Sequence, residues 1–245
     1  MPVSFQNYDF SFQLKGRAVF VPSSDGREIG QRIKSLIETK WPFDDTFFHF
    51  LPGGHVRALH IHREQRYFAR IDLQNFFYSI GRNRVKRTLK EIGIKKAEHF
   101  SKWSTVKNPY MPPSYSLPYG FIQSPILASL ALLKSEVGIS LRHLPDVILR
   151  TIYMDDILLS SNDLAELTAA YVAVQESIGA SGFQINIAKA IPPSESILAF
   201  NCRLELGLTE VTGDRIAEFH GVARSPASVA SFDNYCASVA TGNRA

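Results

Sequence analysis

The sequence has few cysteines, no long apolar run and no internal repeat. Its 245 residues contain 2 cysteines, too few for the disulfide framework of a small secreted domain. The best apolar run, residues 126–133, is far shorter than the ~18 residues of a membrane-spanning helix. The lack of a fixed repeat excludes solenoids and propellers. We therefore expect a cytoplasmic globular protein without a membrane partner.

Charge is divided unevenly along the chain. Residues 1–107 contain 19 Lys and Arg against 10 Asp and Glu, a balance of +9. Residues 108–245 contain 8 against 13, a balance of −5. A basic half favours a polyanion such as nucleic acid, and a solvated lysine-rich helix face is the alternative. The acidic half suggests carboxylates gathered for a metal.

Strands and helices are predicted to alternate. Apolar and β-branched runs indicate strands over residues 17–21, 67–72, 147–154, 157–159, 183–187 and 197–204. Helical spacing indicates helices before Pro42, around residues 85–92, from Pro125 to about Leu141, after Asp163 and over residues 215–223. This order predicts an α+β fold in which helices cover one face of an antiparallel sheet.

Three acidic residues lie at the ends of apolar segments. Asp72 ends one predicted strand, and Asp155 and Asp156 form the tip of an apolar hairpin. Carboxylates beside buried residues are costly unless their charge is offset, and divalent metal ions offset it. Two such ions can activate an attacking oxygen and stabilise a leaving one in phosphoryl transfer. The alternative is that Asp155 and Asp156 are only good turn residues.

Four segments resemble the catalytic motifs of reverse transcriptases, in the family's order. Residues 153–156 read Tyr-Met-Asp-Asp and resemble its Y-x-D-D motif. Residues 70–80, 117–125 and 182–189 resemble its first, second and fourth motifs. The resemblance covers about residues 15–205 and is strongest to bacterial retron-type and defence-associated (abortive-infection and unknown-group) enzymes.

The resemblance implies a right-hand polymerase fold. Its palm would be a ferredoxin- or RRM-like antiparallel sheet with helices on one face, joined to fingers and to a minimal or absent thumb. Fingers are expected over residues 1–66 and 84–115, the palm over 67–83 and 116–205, and a short C-terminal thumb remnant or start over 206–245.

The resemblance to reverse transcriptases also implies catalytic roles for individual residues. Asp72 and Asp155 would bind two Mg²⁺ ions, which Mn²⁺ can replace, with Asp156 in support. The main-chain carbonyl of Leu73 would be a further metal ligand. Lys189 would approach the triphosphate and protonate the leaving pyrophosphate; a solvated lysine is the alternative.

Substrate and nucleic-acid contacts follow from the same resemblance. Phe77 would be the steric gate against a 2′-hydroxyl, with a plain core aromatic as the alternative. Gly120 would let the main chain approach the incoming base pair. The remaining substrate-binding residues would be Leu73, Tyr119, Lys15 and Arg17. The nucleic-acid contacts would be Tyr153, Met154, Arg82, Arg84, Lys86 and Arg87.

Two departures from the family pattern bear on function. Tyr119 stands where the family usually has Gln, and Tyr cannot make the amide contacts of Gln. Polymerisation is therefore implied more firmly than ordinary templated copying.

Only about forty residues follow Leu204, so a three-helix thumb does not fit. A minimal thumb, a truncated chain or a completing partner subunit or second copy are the alternatives.

The expected activity is RNA-directed DNA polymerisation in bacterial antiphage defence. Its partners would be an RNA template, such as a dedicated noncoding RNA, dNTPs and a DNA product. One alternative is template-independent or protein-primed synthesis at the same site. A second is a polymerase-like RNA-binding subunit with little activity, and a nucleotide cyclase is a weaker third because it gives residues 117–125 no role.

Overall fold

The computed structural model describes residues 6–110 and 112–244, which form two compact units. One unit contains residues up to 44, residues 73–139 and residues 178–184. The other contains residues 45–72, residues 140–177 and the residues from 185 onward. Asp72 and Leu73 thus belong to different units. The predicted bounds of fingers and palm stay a prediction.

Helices and strands alternate along the described chain. The strands are β1 (Tyr8–Leu14), β2 (Arg17–Pro22), β3 (Tyr67–Asp72), β4 (Val106–Lys107), β5 (Tyr115–Ser116), β6 (Leu149–Tyr153), β7 (Asp156–Ser161), β8 (Ile191–Ser194), β9 (Ser196–Ala199), β10 (Cys202–Glu205) and β11 (Leu208–Val211). The helices are α1 (Ser24–Lys40), α2 (Gly54–His62), α3 (Phe76–Ser79), α4 (Arg82–Glu91), α5 (Ala97–Trp103), α6 (Ser124–Leu133), α7 (Glu136–Arg142), α8 (Leu164–Ala180), α9 (Gly213–His220) and α10 (Pro226–Ala240).

The unit that contains Asp72 is built on a four-stranded antiparallel sheet. Its strand order is β6-β7-β3-β8, and every pairing is antiparallel. The apolar side chains of β3 and β7 are buried, among them Phe68, Ile71 and Leu158. This sheet confirms the predicted α+β class and places the two apolar strands at its centre.

A second sheet of the same unit has the order β11-β10-β9. One continuous strand was expected over residues 197–204, but the chain turns at Phe200 and Asn201, which both have positive φ. Two such residues in succession are typical of a tight hairpin turn. Helix α10 was not predicted from the sequence. It packs against α9, where Phe232 stacks on Phe219 with 3.9 Å between ring centroids.

The unit that contains Leu73 has the hairpin β1–β2 and the buried helix α6. A single helix was expected from Pro125 to about Leu141, but it breaks after Leu133. Both the main-chain N–H and the hydroxyl of Ser135 donate to the carbonyl of Leu132, and this ends α6. Among the described residues, no single helix is long and apolar enough to cross a membrane. Only α6 and α7 together pass that test of length and composition, and they are bent by 68°.

One further local expectation was wrong. Residues 183–187 do not form a strand; single hydrogen bonds join this segment to the residues around Asp72, from Gln74 N–H to the Gln184 carbonyl and from Asn186 N–H to the Asp72 carbonyl.

Candidate active site

The three acidic residues lie at one end of the central strand pair. The register of β3 and β7 places Asp72 opposite Asp156, and Asp155 is in the turn that precedes β7. Only 2% of Asp72 is exposed, and 13% of the Asp156 side chain. Directly opposed side chains of an antiparallel pair are neighbours. The structure therefore brings the predicted acids of this unit together.

The turn that carries Asp155 is held by a histidine that no sequence pattern singles out. Met154 has φ 58°, and its main-chain N–H donates to Nδ1 of His49 at 3.2 Å. Burial lowers the pKa of His49 to about 4, so at neutral pH this ring is neutral and Nδ1 can accept. Tyr153, the predicted nucleic-acid contact beside it, packs its ring on His55 and Phe200.

Two cations contact the buried carboxylates. Nε of Arg70 donates to Oδ1 of Asp156 at 2.7 Å, and its Nη2 is 3.7 Å from Oδ2 of Asp72. Nζ of Lys189 donates to the same Asp72 oxygen at 3.0 Å. Lys189 was predicted from sequence, but Arg70 was not. The available signal was its position two residues before Asp72, which puts both side chains on one face of β3.

Burial dominates the electrostatics of Asp156. It raises the pKa of this carboxyl to about 6, the charges of Asp155 and Asp72 add to that effect, and Arg70 opposes it. A carboxyl buried among like charges prefers to be neutral unless a cation stays nearby. The site therefore has a strong need for positive charge.

The donor set fits a hard divalent cation such as Mg²⁺, which prefers carboxylate oxygens. The cage is not preformed, because within residues 6–110 and 112–244 no group of three or more His, Cys, Asp or Glu is arranged to hold a metal. Arg70 pairs with one oxygen of Asp156, and Lys189 pairs with one oxygen of Asp72. The residues are of the right type, and an ion that used the paired oxygens would displace Arg70 and Lys189.

The three histidines of α2 all make hydrogen bonds within the protein. His62 is buried between the hydroxyls of Ser160 and Thr151, at 2.6 and 2.9 Å. His60 bonds the carbonyl of Val239, and His55 bonds the hydroxyl of Tyr235. Each ring therefore has a structural partner.

A cavity of about 690 Å³ opens beside the carboxylates in the same unit. Arg70, Asp156 and Lys189 line one part of it, and Phe200 and Arg215 line another. The acidic end of the sheet is thus open to a ligand of nucleotide size.

The predicted substrate residues of the other unit form an aromatic cluster. Phe77 meets the ring of Tyr119 edge-on, with 4.7 Å between centroids. The guanidinium of Arg17 lies over the same ring at 5.2 Å. Lys15 occupies the β1–β2 turn with φ 49°. Four residues predicted separately as substrate contacts thus lie in one unit, three of them touching.

Gly120 lies where a side chain would not fit. Its φ is 98°, and an added Cβ would clash with the main-chain carbonyl of Phe20. The neighbouring main chain is fixed by a hydrogen bond from Phe20 N–H to the Tyr119 carbonyl at 2.9 Å. Leu73, predicted to offer its carbonyl, has a buried side chain.

The four basic residues predicted to contact nucleic acid lie on the first turns of α4. Arg82 bonds Thr105 and stacks on Tyr115, with 3.9 Å from its Cζ to the ring centroid. Arg84 donates to the Ser181 carbonyl and lies over Phe183. Lys86 pairs with Glu98, whereas Arg87 is exposed. Three of the four cations thus contact the protein itself, and Arg87 presents its charge to solvent.

A family profile covers most of the chain. The profile of the family described as reverse transcriptase (RNA-dependent DNA polymerase) matches residues 13–191. A search of curated proteins found no match.

Two solved structures have a similar fold. The first is a foamy viral protease-reverse transcriptase in complex with double-stranded DNA (TM-score 0.52, 16% identity), which aligns over 88% of this chain and 32% of that one. The second is a telomerase from Candida albicans in complex with a telomeric RNA fragment (TM-score 0.52, 11% identity), with 77% and 37% covered. The chain thus spans about a third of the length of these proteins.

Proposed function

Since this chain belongs to the reverse transcriptase family, we propose that it is an RNA-directed DNA polymerase, a nucleotidyltransferase that adds dNTPs to a 3′ end. The observation that carries the proposal is the pairing of Asp72 with Asp156 at the end of β3 and β7, with Asp155 in the adjoining turn. Buried acids that need a cation suit phosphoryl transfer. A purely structural turn has no use for them.

Asp72, Asp155 and Asp156 would hold two Mg²⁺ ions, helped by the Leu73 carbonyl. When bound, these ions supply charge neutralisation at the reacting phosphate and activate the attacking hydroxyl. The protein's own residues bind and orient the substrate. Lys189, with 44% of its side chain exposed beside Asp72, would neutralise or protonate the departing pyrophosphate.

The aromatic cluster would select and place the nucleotide. Phe77 would exclude a 2′-hydroxyl, and Gly120 would admit the base pair against the main chain. Arg17, whose planar guanidinium already stacks on Tyr119, would turn its donors to the triphosphate together with Lys15. The exposed Arg87, with Arg82, Arg84, Lys86, Tyr153 and Met154, would contact template or product backbone.

One observation favours a second candidate function. Tyr119 stands in place of Gln and packs in an aromatic cluster with Phe77 and Tyr78. An aromatic ring stacks on any base without reading its edge. Template-independent or protein-primed DNA synthesis at the same acids is therefore the alternative.

Labelled dNTP incorporation separates these functions. Purified protein would be tested with Mg²⁺ and an RNA template with primer, a DNA template with primer, or no nucleic acid. Incorporation only on RNA supports the proposal, and incorporation without nucleic acid supports the alternative. No incorporation in any arm contradicts both and favours an RNA-binding subunit.

The proposed role in antiphage defence rests on the resemblance of the motifs, and the proposed cytoplasmic location rests on the low cysteine content. Phage plating on cells that express the wild type or Asp155→Ala/Asp156→Ala tests the defence role. We expect reduced plating only with the wild type. Equal plating on both would contradict it.

A further inference from the structure

The side chain of Arg70 joins three elements at the acidic end of the sheet. Its Nε donates to Asp156, its Nη2 faces Asp72, and its Nη1 donates to the carbonyl of Leu198 at 3.0 Å. Only 14% of this side chain is exposed. The guanidinium is therefore anchored on a main-chain carbonyl of β9 as well as on two carboxylates.

This arrangement depends on the shape of the guanidinium. Five donors in a fixed plane can serve three acceptors at once, which an ammonium on a flexible stem cannot do in the same geometry. Arg70 and Asp72 lie on one face of β3, and Asp156 is the residue directly opposite Asp72. Arg70 is thus the diagonal cross-strand neighbour of Asp156, within reach of a long side chain.

The two carboxylates that Arg70 contacts, Asp72 and Asp156, are also the proposed ligands of the divalent ion. Oδ1 of Asp156 and Oδ2 of Asp72 are bound to Arg70 and Lys189, and the described residues contain no ready cage for a metal. Buried carboxylates without a cation repel each other and lose hydration. An ion that takes these two oxygens therefore replaces contacts that Arg70 and Lys189 already make.

From these contacts we infer that Arg70 is a positioning residue that competes with the divalent ion. It holds Asp156 and Asp72 in place while no metal is bound, and it sets the metal concentration at which the carboxylates exchange its guanidinium for the ion. The inference rests on the proposed function, because it takes the three acids as the metal site.

The test is thermal unfolding of the full chain during a MgCl₂ titration, without nucleotide or nucleic acid. Arg70→Gln keeps a hydrogen-bond donor and removes the charge. We expect a melting temperature several degrees lower without metal, and a half-saturating Mg²⁺ concentration about tenfold lower, since one lost competing contact of ~1.4 kcal/mol is a factor of ten. Arg70→Lys keeps the charge but lacks the planar guanidinium, so its melting temperature and half-saturating Mg²⁺ concentration should lie between those of the wild type and Arg70→Gln. The same variant provides the test if Arg70→Gln does not fold.

The matched control is Arg66→Gln, which removes an exposed arginine that immediately precedes β3 and pairs with Glu195. It should leave both quantities as in the wild type. An unchanged or higher half-saturating concentration in the Arg70 variants, with a clear Mg²⁺ response in the wild type, overturns the role of Arg70 alone. Absence of any Mg²⁺ response in the wild type overturns both this role and the proposed metal site.

Discussion

The main-chain N–H of Met154 donates a hydrogen bond to Nδ1 of His49, at 3.2 Å. Met154 has positive φ and immediately precedes Asp155. The bond therefore fixes the turn that presents a predicted metal ligand. A residue more than one hundred positions earlier in the chain thus helps to place the acids.

His49→Ala should lower dNTP incorporation by about tenfold or more, because the turn loses its acceptor. The loss of stability should be about 1–3 kcal/mol, typical of a buried donor left without a partner. His49→Asn places an acceptor at a similar distance along the side chain and should recover most of the activity. Single-nucleotide incorporation and urea unfolding measure both effects. Wild-type incorporation by His49→Ala would show that the turn does not need this bond.

Phe77→Ala should weaken the preference for dNTPs over rNTPs by about 10–100-fold, the usual worth of one steric contact in a substrate pocket. The neighbouring Phe76 is buried as well, so Phe76→Leu is the control for loss of core packing alone. Steady-state kcat/KM for matched dNTP and rNTP pairs gives the ratio. If both variants keep the wild-type ratio, Phe77 is a core aromatic and not a gate.

Gly120→Ala should destabilise the chain by about 2–4 kcal/mol, because it combines a strained positive φ with a clash against the Phe20 carbonyl. Gly93→Ala separates the two costs. Gly93 also has positive φ, at 75°, but an added Cβ there meets open space. That control should cost only about 1–2 kcal/mol. Equal losses in denaturant unfolding would mean that no close approach exists at Gly120.

The buried His62 predicts a pH dependence of stability. Burial lowers its pKa from 6.5 to about 3. Below pH 6.5 the unfolded chain takes up a proton that the folded chain does not, so the free energy of unfolding falls as the pH falls towards 3. The slope from this group approaches ~1.4 kcal/mol per pH unit. His62→Gln should flatten the curve between pH 6 and 4 by about that slope. An unchanged slope would place the titrating group elsewhere.

The proximity of Asp72, Asp155 and Asp156 could be predicted from the sequence because it depends on local pattern. Apolar strands that end in Asp72 and in the Asp155–Asp156 turn are recognisable from residue types alone. Pairing of those strands then follows from the antiparallel arrangement, and it brings Asp72 opposite Asp156.

The parts that could not be predicted depend on contacts far apart in sequence. Residues 183–187 have a strand-like apolar pattern, yet Ile187 is exposed and the segment forms only single bonds near Asp72. Helix α10 was missed because Ser and Ala hide its apolar period, although Phe232 and Val239 are seven residues apart and both buried. The acceptor role of His49 carries no signal in the sequence.

The most direct test of the account compares the wild type with Asp155→Ala/Asp156→Ala in dNTP incorporation on a primed RNA template with Mg²⁺. The account predicts extension by the wild type, with a product complementary to the template, and a loss of at least about a thousandfold in the variant, since metal-site catalysis supplies several kcal/mol. Equal extension by both proteins would contradict the assignment of these carboxylates as the catalytic centre.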